Sequence, residues 1–160
     1  MKLVVTRTPL RVSLLGGGTD LPRVCHVQGG ASVGFALGET IDVVVRSREG
    51  AEGPRFVVAS DDGSFQTATS LEHIQHALVR ESLRFLQIDA PLSVHILSGV
   101  AAGTGLGGSS SLTVGLVHAL SVFKGVTPTK SELAAAAYRV EVERTGRPIG
   151  YQDHAFAAHG

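Results

Sequence analysis

A glycine- and serine-rich segment between a predicted strand and a predicted helix constrains this chain more than any other feature. The segment reads Gly103-Thr104-Gly105-Leu106-Gly107-Gly108-Ser109-Ser110-Ser111. Alternating Leu92, Val94 and Ile96 predict a strand before it, and the apolar stretch after it predicts a helix from Ser109 to about Phe123. Glycines let backbone approach a ligand closely, and helix N-termini attract anions. The pattern is typical of a phosphate-binding loop, with a serine-capped tight turn as the alternative.

Two common phosphate loops do not fit this segment. Gly103, Gly105 and Gly108 have GxGxxG spacing, but a dinucleotide-binding fold needs a second strand ending in an acidic residue about 20 residues later. Pro128 and another predicted helix occupy that stretch. The Walker A pattern needs a lysine after the last glycine, where Ser109 stands. Positive charge for a phosphate must therefore come from elsewhere in the chain.

The rest of the pattern predicts one α+β domain. Strands are expected at Leu3–Val5, Leu10–Leu15, Ala31–Leu37, Thr40–Arg48 and Phe56–Ala59, with hairpin turns at 49–53 and 61–64. One helix is expected to start with Ser70 as its N-cap, and another with a capping box of Thr129 and Glu132. Leu10, Val12 and Leu14 form an apolar row, so we expect Arg11 to point away from it.

Composition excludes several classes of protein. The 160 residues carry 14 Lys+Arg and 14 Asp+Glu, and a net charge of zero argues against a nucleic-acid partner. Cys25 is the single cysteine, and His73 and His76 lack a third ligand, so neither a disulfide nor a metal at these histidines is expected. The apolar stretch 112–123 is too short to span a bilayer and the first residues do not form a leader, which predicts a cytoplasmic protein without a membrane partner.

Three segments, in order, resemble the GHMP kinase family. The first is the N-terminal run TPLRVSLLGGGTD at 8–20, the second is GTGLGGSSS at 103–111, and the third is Glu143-Arg144 followed by Gly150-Tyr151-Gln152-Asp153. Together they cover residues 8 to about 160. The resemblance implies a two-layer fold in which helices lie on one face of a mixed sheet.

The resemblance also implies a function. GHMP kinases transfer the γ-phosphate of ATP, with Mg²⁺, to a substrate hydroxyl, and the first segment is most similar to the sugar-kinase branch that includes heptose 7-phosphate kinases. The expected partner is a small-molecule sugar or sugar phosphate, with a heptose 7-phosphate-like acceptor favoured. The sugar, the hydroxyl that receives the phosphate and any homo-oligomer remain open. A non-catalytic nucleotide- or RNA-binding module of the same fold is the alternative.

The resemblance assigns roles to particular residues. Asp153 would be the catalytic base, and Arg11 would lower the pKa of Asp153 and offset phosphate charge. Ser109 and Glu143 would bind Mg²⁺. The remaining assignments are Gly103, Thr104, Gly105, Leu106, Gly107, Gly108, Ser109 and Ser110 for ATP, and Gly17, Gly18, Thr19 and Asp20 for the substrate.

Each of these residues also has an ordinary structural interpretation. Asp153 could cap the helix 153–159, Arg11 could be a solvated strand residue, and Glu143 could lie on a helix surface. Asp20 could form an Asx-turn after the glycine run. The motifs alone do not decide between the functional and the structural interpretations of these residues.

The chain departs from the family pattern in its loop and in its length. Ala101 replaces the proline that usually precedes the loop, and Gly108 stands where a serine is common. Family members are also about twice as long, so residues 1–160 are expected to be an N-terminal ATP-binding domain without its C-terminal partner. Such a chain is expected to be inactive by itself.

Overall fold

The computed structural model describes residues 2–101 and 103–160. Its strands are β1 (Leu3–Leu15), β2 (Val33–Ser47), β3 (Phe56–Ser60), β4 (Phe65–Ala68) and β5 (Leu92–Ser98). Its α-helices are α1 (Pro22–Gln28), α2 (Ala77–Phe85), α3 (Gly108–Lys124), α4 (Lys130–Tyr138) and α5 (Gln152–His159). A 3-10 turn at Leu71–His73 precedes α2, and a π-helical segment at Arg139–Arg144 continues α4.

The five strands form one mixed sheet in the order β1-β2-β5-β3-β4. All neighbouring strands are antiparallel except β3 and β5, which are parallel. The main core lies between this sheet and α3, where Val43, Val94, Leu116 and Leu120 are fully buried. Val5 projects from the other side of β1 and is exposed. The expected two-layer α+β fold with a mixed sheet is confirmed.

Strand β1 is irregular where the site begins. Pro9 pairs with Thr40 and Arg11 with Ala36, so residues 37–39 of β2 lie opposite the single residue Leu10. At this point Leu10 faces the core, and the next residue, Arg11, contacts α5. Strict alternation is lost at such a register shift. The expected common face of Arg11 and Ser13 is present, because both contact α5. The expected apolar row is wrong as a continuous core row, because Leu10 is buried and Leu14 is exposed.

Several local predictions are confirmed, and others are wrong because of long-range pairing. The capping box of Thr129 and Glu132 is present, and the turn at 61–64 joins β3 to β4, a strand the sequence pattern did not predict. Residues 49–53 do not form a hairpin turn, because β5 lies between β2 and β3. Ser70 makes no cap; α2 begins later, where His76 Nδ1 accepts a hydrogen bond from the N–H of Val79.

Helix α3 approaches the sheet closely because Gly115 has no side chain. Thr6 Oγ1 donates a hydrogen bond of 2.9 Å to the Gly115 carbonyl oxygen. A Cβ atom at Gly115 would lie 2.9 Å from Thr8 Oγ1 and 3.2 Å from Val43 Cγ2. One turn earlier, Ser111 Oγ donates to the Pro9 carbonyl oxygen at 2.8 Å. These contacts fix the start of α3 against the irregular part of β1.

We expect Gly115→Ala to destabilise the protein, although alanine is the better helix former. The added methyl group would push α3 away from Thr8 and Val43, and overpacking of this kind costs about 1–3 kcal/mol. Gly108→Ala is the control, because its Cβ would meet only Ile41 Cδ1, at 3.9 Å. Urea unfolding followed by circular dichroism measures both variants. Equal stability of the two would contradict the close packing of α3.

Candidate active site

Arg11 and Asp153, 142 residues apart, form a two-bond ion pair between β1 and α5. Arg11 Nε lies 2.7 Å from Asp153 Oδ1, and a terminal guanidinium nitrogen lies 2.5 Å from Oδ2. Their side chains are only 12% and 18% exposed. Parallel bonds of this kind fix orientation as well as charge. Asp153 does not cap its helix, since α5 has no side-chain cap and the carboxylate binds Arg11 instead.

Arg11 also supports the glycine loop. Its guanidinium donates to the Gly105 carbonyl oxygen at 2.7 Å, and its backbone N–H donates to the Leu106 carbonyl oxygen at 3.0 Å. Gly103, Gly105 and Gly107 have φ angles of 84°, 75° and 75°, a region that favours glycine. A Cβ atom at Gly107 would lie 3.1–3.2 Å from Arg11 side-chain atoms. The loop thus rests directly on the arginine.

The loop and the start of α3 line a cleft of about 1040 Å³, which we call the larger cleft. Arg11, Asp153 and Arg147 also line it. No side chain caps the N-terminus of α3, so the first N–H groups of this 17-residue helix have no side-chain acceptor. Of the residues predicted for ATP, six line the larger cleft: Gly103, Thr104, Gly105, Gly107, Gly108 and Ser109. Ser110 is buried, and Leu106 lines a neighbouring cleft.

The acidic residue behind Ser109 is Glu141, and Glu143 lies elsewhere. Glu143 is on the surface, with a side chain 55% exposed and an ion pair of 3.3 Å to Arg139. Helical residues two positions apart face different sides, which is why only one of the two glutamates turns inward. The predicted pairing of Ser109 with Glu143 is therefore wrong in this structure.

Glu141 is fully buried among hydrogen-bond donors. Its Oε2 lies 2.9 Å from His154 Nε2 and 3.2 Å from Thr113 Oγ1, and its Oε1 lies 3.3 Å from an Arg147 nitrogen. Burial by itself would raise the pKa of Glu141, but hydrogen bonds from His154 and Ser109 outweigh burial and hold that pKa below its usual value. A buried, ionised carboxylate thus lies behind the first turn of α3.

Sequence reasoning missed Glu141, although a signal was present. Leu133, Ala137, Val140 and Glu141 are all buried and lie at positions i, i+4, i+7 and i+8. That spacing describes one face of a helix. Continuing the apolar face of α4 into the next segment therefore indicates Glu141, not Glu143, as the inward-facing acid.

His154 holds Glu141 from the next position of α5. Its ring is fully buried and meets Tyr138 edge-on, with ring centroids 5.6 Å apart. Its Nδ1 has no hydrogen-bond partner in the described part of the chain, so the proton is assigned to Nε2, which faces Glu141. Consecutive residues of α5 thus bind Arg11 and Glu141.

The GGGTD segment mainly fixes the start of α5. Asp20 Oδ1 accepts from the Gly18 N–H at 3.1 Å, and Oδ2 accepts from the Gln152 N–H at 2.9 Å. Thr19 Oγ1 lies 2.7 Å from the Gly16 carbonyl oxygen. Of the four predicted substrate residues, Gly17 lines a smaller cleft of about 500 Å³, whereas Gly18, Thr19 and Asp20 are not among its lining residues.

Residues 70–160 match the family model described as the GHMP kinases N terminal domain. The chain belongs to the GHMP kinase family. Over 176 aligned positions this GHMP kinase chain is 31% identical to D-glycero-alpha-D-manno-heptose 7-phosphate kinase from Campylobacter jejuni, and the alignment covers 100% of the chain and 49% of that protein. The chain therefore spans about half the length of that relative.

Solved structures show the same fold. A D-glycero-D-manno-heptose 1-phosphate kinase from Bacteroides thetaiotaomicron has a TM-score of 0.87 at 21% identity, covering 99% of this chain and 54% of that one. Lactococcus lactis galactokinase complexed with galactose has a TM-score of 0.80 at 18% identity, covering 99% and 42%. In the described ranges 2–101 and 103–160, no helix has the length and apolar character needed to cross a membrane.

We expect Gly107→Ala to damage the site more than Gly103→Ala. Both glycines have positive φ, so both variants pay backbone strain of about 1–2 kcal/mol. Only at Gly107 would the new methyl group also meet Arg11, because nothing lies within 4 Å of a Cβ at Gly103. Thermal unfolding of the two variants isolates the Arg11 contact. A larger loss of stability in Gly103→Ala would contradict the packing of the loop on Arg11.

Proposed function

We propose that this chain binds ATP and Mg²⁺ and supplies the catalytic groups that transfer the γ-phosphate to a hydroxyl of a sugar or sugar phosphate. The observation that carries the proposal is the placement of the Arg11–Asp153 pair. Arg11 lines both the larger and the smaller cleft, and Asp153 lines the larger one. A group at this junction can touch a nucleotide on one side and an acceptor on the other.

The glycine loop and the start of α3 would hold the phosphates in the larger cleft. Backbone N–H groups at a helix N-terminus, together with its dipole, favour negative charge. Gly103, Gly105 and Gly107 have positive φ angles, which favour glycine, and glycines leave the loop backbone free of side chains where a phosphate would approach it. The acceptor would occupy the smaller cleft, which Ser13, Gly17 and Gln152 line next to Arg11.

Asp153 would act on the acceptor hydroxyl. Its carboxylate takes the hydroxyl proton while the hydroxyl oxygen bonds to the γ-phosphorus and the bond to the ADP oxygen breaks. Arg11 holds the carboxylate in place through two bonds and offsets charge at the transferring group. Phosphoryl transfer depends mainly on positioning and electrostatic stabilisation, and both residues supply these.

Ser109 and Glu141 fit the protein's share of a magnesium site. Both provide hard oxygen ligands, and Glu141 is kept ionised by its hydrogen bonds. Mg²⁺ usually takes one or two protein carboxylates and completes its shell with phosphates and water. The described residues contain no group of three His, Cys, Asp or Glu side chains placed to hold a metal. The ion would neutralise phosphate charge.

The acceptor we favour is a heptose 7-phosphate-like sugar, and the relative from Campylobacter jejuni is named for that substrate. In this proposal the chain is the ATP-binding domain of a cytoplasmic kinase about as long as that relative. Asp20 would contribute by holding Gln152 at the edge of the smaller cleft, through its bond to the Gln152 N–H. A further domain would cover the exposed apolar side chains at the ends of β1 and β2, which include Leu15 and Phe35.

We expect Asp153→Asn to lower kcat roughly a hundredfold or more, because the amide cannot take the hydroxyl proton. The ATP affinity should change much less. Asp89→Asn, an exposed carboxylate paired with Arg55, is the control. ADP release by the whole protein, tested against hexoses, heptoses and their phosphates, measures turnover, and calorimetry measures ATP binding. Binding of RNA in preference to ATP, or full turnover by Asp153→Asn, would refute the proposed kinase mechanism.

We expect Glu141→Gln to raise the Mg²⁺ concentration needed for half-maximal turnover, because it removes a charged oxygen ligand. Glu143→Gln should leave this concentration unchanged, since Glu143 lies on the surface beside Arg139. Thermal unfolding without Mg²⁺ checks that both variants fold. The reverse ranking of the two variants would restore Glu143 as the ligand.

A further inference from the structure

A triphosphate in the larger cleft needs positive charge that the glycine loop does not provide. Three basic side chains line this cleft: Arg11, His76 and Arg147. Arg11 is matched by Asp153, and its remaining terminal nitrogen donates to the Gly105 carbonyl oxygen. The charge of Arg11 is therefore largely balanced within the protein.

His76 does not fill the gap. Burial lowers the pKa of His76, and the nearby positive charge of Arg147 lowers it further, so the ring is neutral near pH 7. Its Nδ1 is also occupied, because it accepts the hydrogen bond from the Val79 N–H at the start of α2. Of the three basic residues that line the larger cleft, Arg147 is the one left to meet an anion.

Arg147 has the position and the unused donors for this role. It lies between the π-helical segment and α5, and its side chain is 48% exposed. Within the described residues, its side chain makes one hydrogen bond, of 3.3 Å to Glu141 Oε1. A guanidinium has five N–H donors in a planar fork that matches phosphate oxygens. The side chain lines the larger cleft, and one of its five donors is used by Glu141.

Glu141 has a buried hydrogen-bond donor besides Arg147. His154 Nε2 lies 2.9 Å from the other carboxylate oxygen, inside the protein. Thr113 Oγ1 lies 3.2 Å from the same oxygen, but its shorter bond, of 2.7 Å, goes to the Ser109 carbonyl oxygen. The Arg147 contact is longer and more exposed than the His154 contact. Arg147 can therefore turn toward a ligand without leaving Glu141 unpaired.

We propose that Arg147 binds the β- and γ-phosphates of the nucleotide and supplies the positive charge that the glycine loop lacks. The inference rests on the proposed function, because it requires the nucleotide to occupy the larger cleft. Arg147 lines that cleft together with Ser109 and Asp153, and its bond to Glu141 Oε1 links it to the carboxylate behind the first turn of α3. Two parallel bonds from the guanidinium would also orient the terminal phosphate toward Asp153.

The test compares AMP, ADP and ATP, measured by calorimetry without divalent metal so that effects through Glu141 and Mg²⁺ do not contribute. Arg147→Gln should weaken ATP and ADP binding about tenfold or more and leave AMP binding within about twofold, because only the first two carry the contacted phosphates. Arg147→Lys should fall between Arg147→Gln and the wild type. Arg144→Gln is the matched control, since Arg144 is similarly exposed and lies 3.9 Å from Glu81.

Each other result has a definite meaning. Equal weakening of AMP, ADP and ATP, or unchanged ATP binding in Arg147→Gln, overturns the proposal. A changed Mg²⁺ requirement with unchanged metal-free ATP affinity also overturns it, because Arg147 would then serve only Glu141. If the wild-type protein binds none of the three nucleotides, the proposed function itself fails, and the inference fails with it. Thermal unfolding of every variant verifies that affinity is compared between folded proteins.

Discussion

The ion pair between Arg11 and Asp153 organises the site, because three separate segments meet on one guanidinium. The arginine comes from β1, its carboxylate partner from α5, and its third nitrogen binds the glycine loop at Gly105. Both side chains are mostly buried, so removing either one would leave a poorly solvated charge without a partner. The irregular pairing after Pro9 is equally necessary, because it is there that β1 turns Arg11 toward the helix layer.

The first turn of helix α5 contacts three other parts of the site. The Gln152 backbone N–H binds Asp20 of the GGGTD segment, Asp153 binds Arg11, and His154 binds Glu141. An isolated helix of eight residues is unstable in water, so tertiary contacts must hold it. Gly150 shows how close the approach is, since a Cβ there would lie 1.9 Å from Asp20 Oδ2. Interactions that stabilise α5 therefore also position the Asp153 carboxylate.

The structural features that were predicted best from the sequence are those that local interactions determine. Helix α3 follows from its apolar stretch, and α4 begins at a capping box whose partners, Thr129 and Glu132, are three residues apart. Strand β4 and the crossover after β2 escaped prediction because they depend on which strands pair across the sheet. The motif resemblance indicates Glu143, whereas the helical spacing of the buried residues Leu133, Ala137 and Val140 indicates Glu141 as the inward-facing acid.

The candidate site contains two partly or fully buried carboxylates, and each has a partner within the protein. Asp153 is paired with Arg11, and Glu141 with the His154 N–H and, at its outer oxygen, with Arg147. Replacing such buried pairs with apolar side chains often leaves stability unchanged or improved, so stability alone does not explain them. In the proposed function the two carboxylates are a general base and a magnesium ligand, and the hydrogen bonds to Glu141 hold its pKa below the usual value, as a metal ligand requires. Both arginines also line the larger cleft, so in the proposed function the groups that hold these carboxylates lie beside the nucleotide as well.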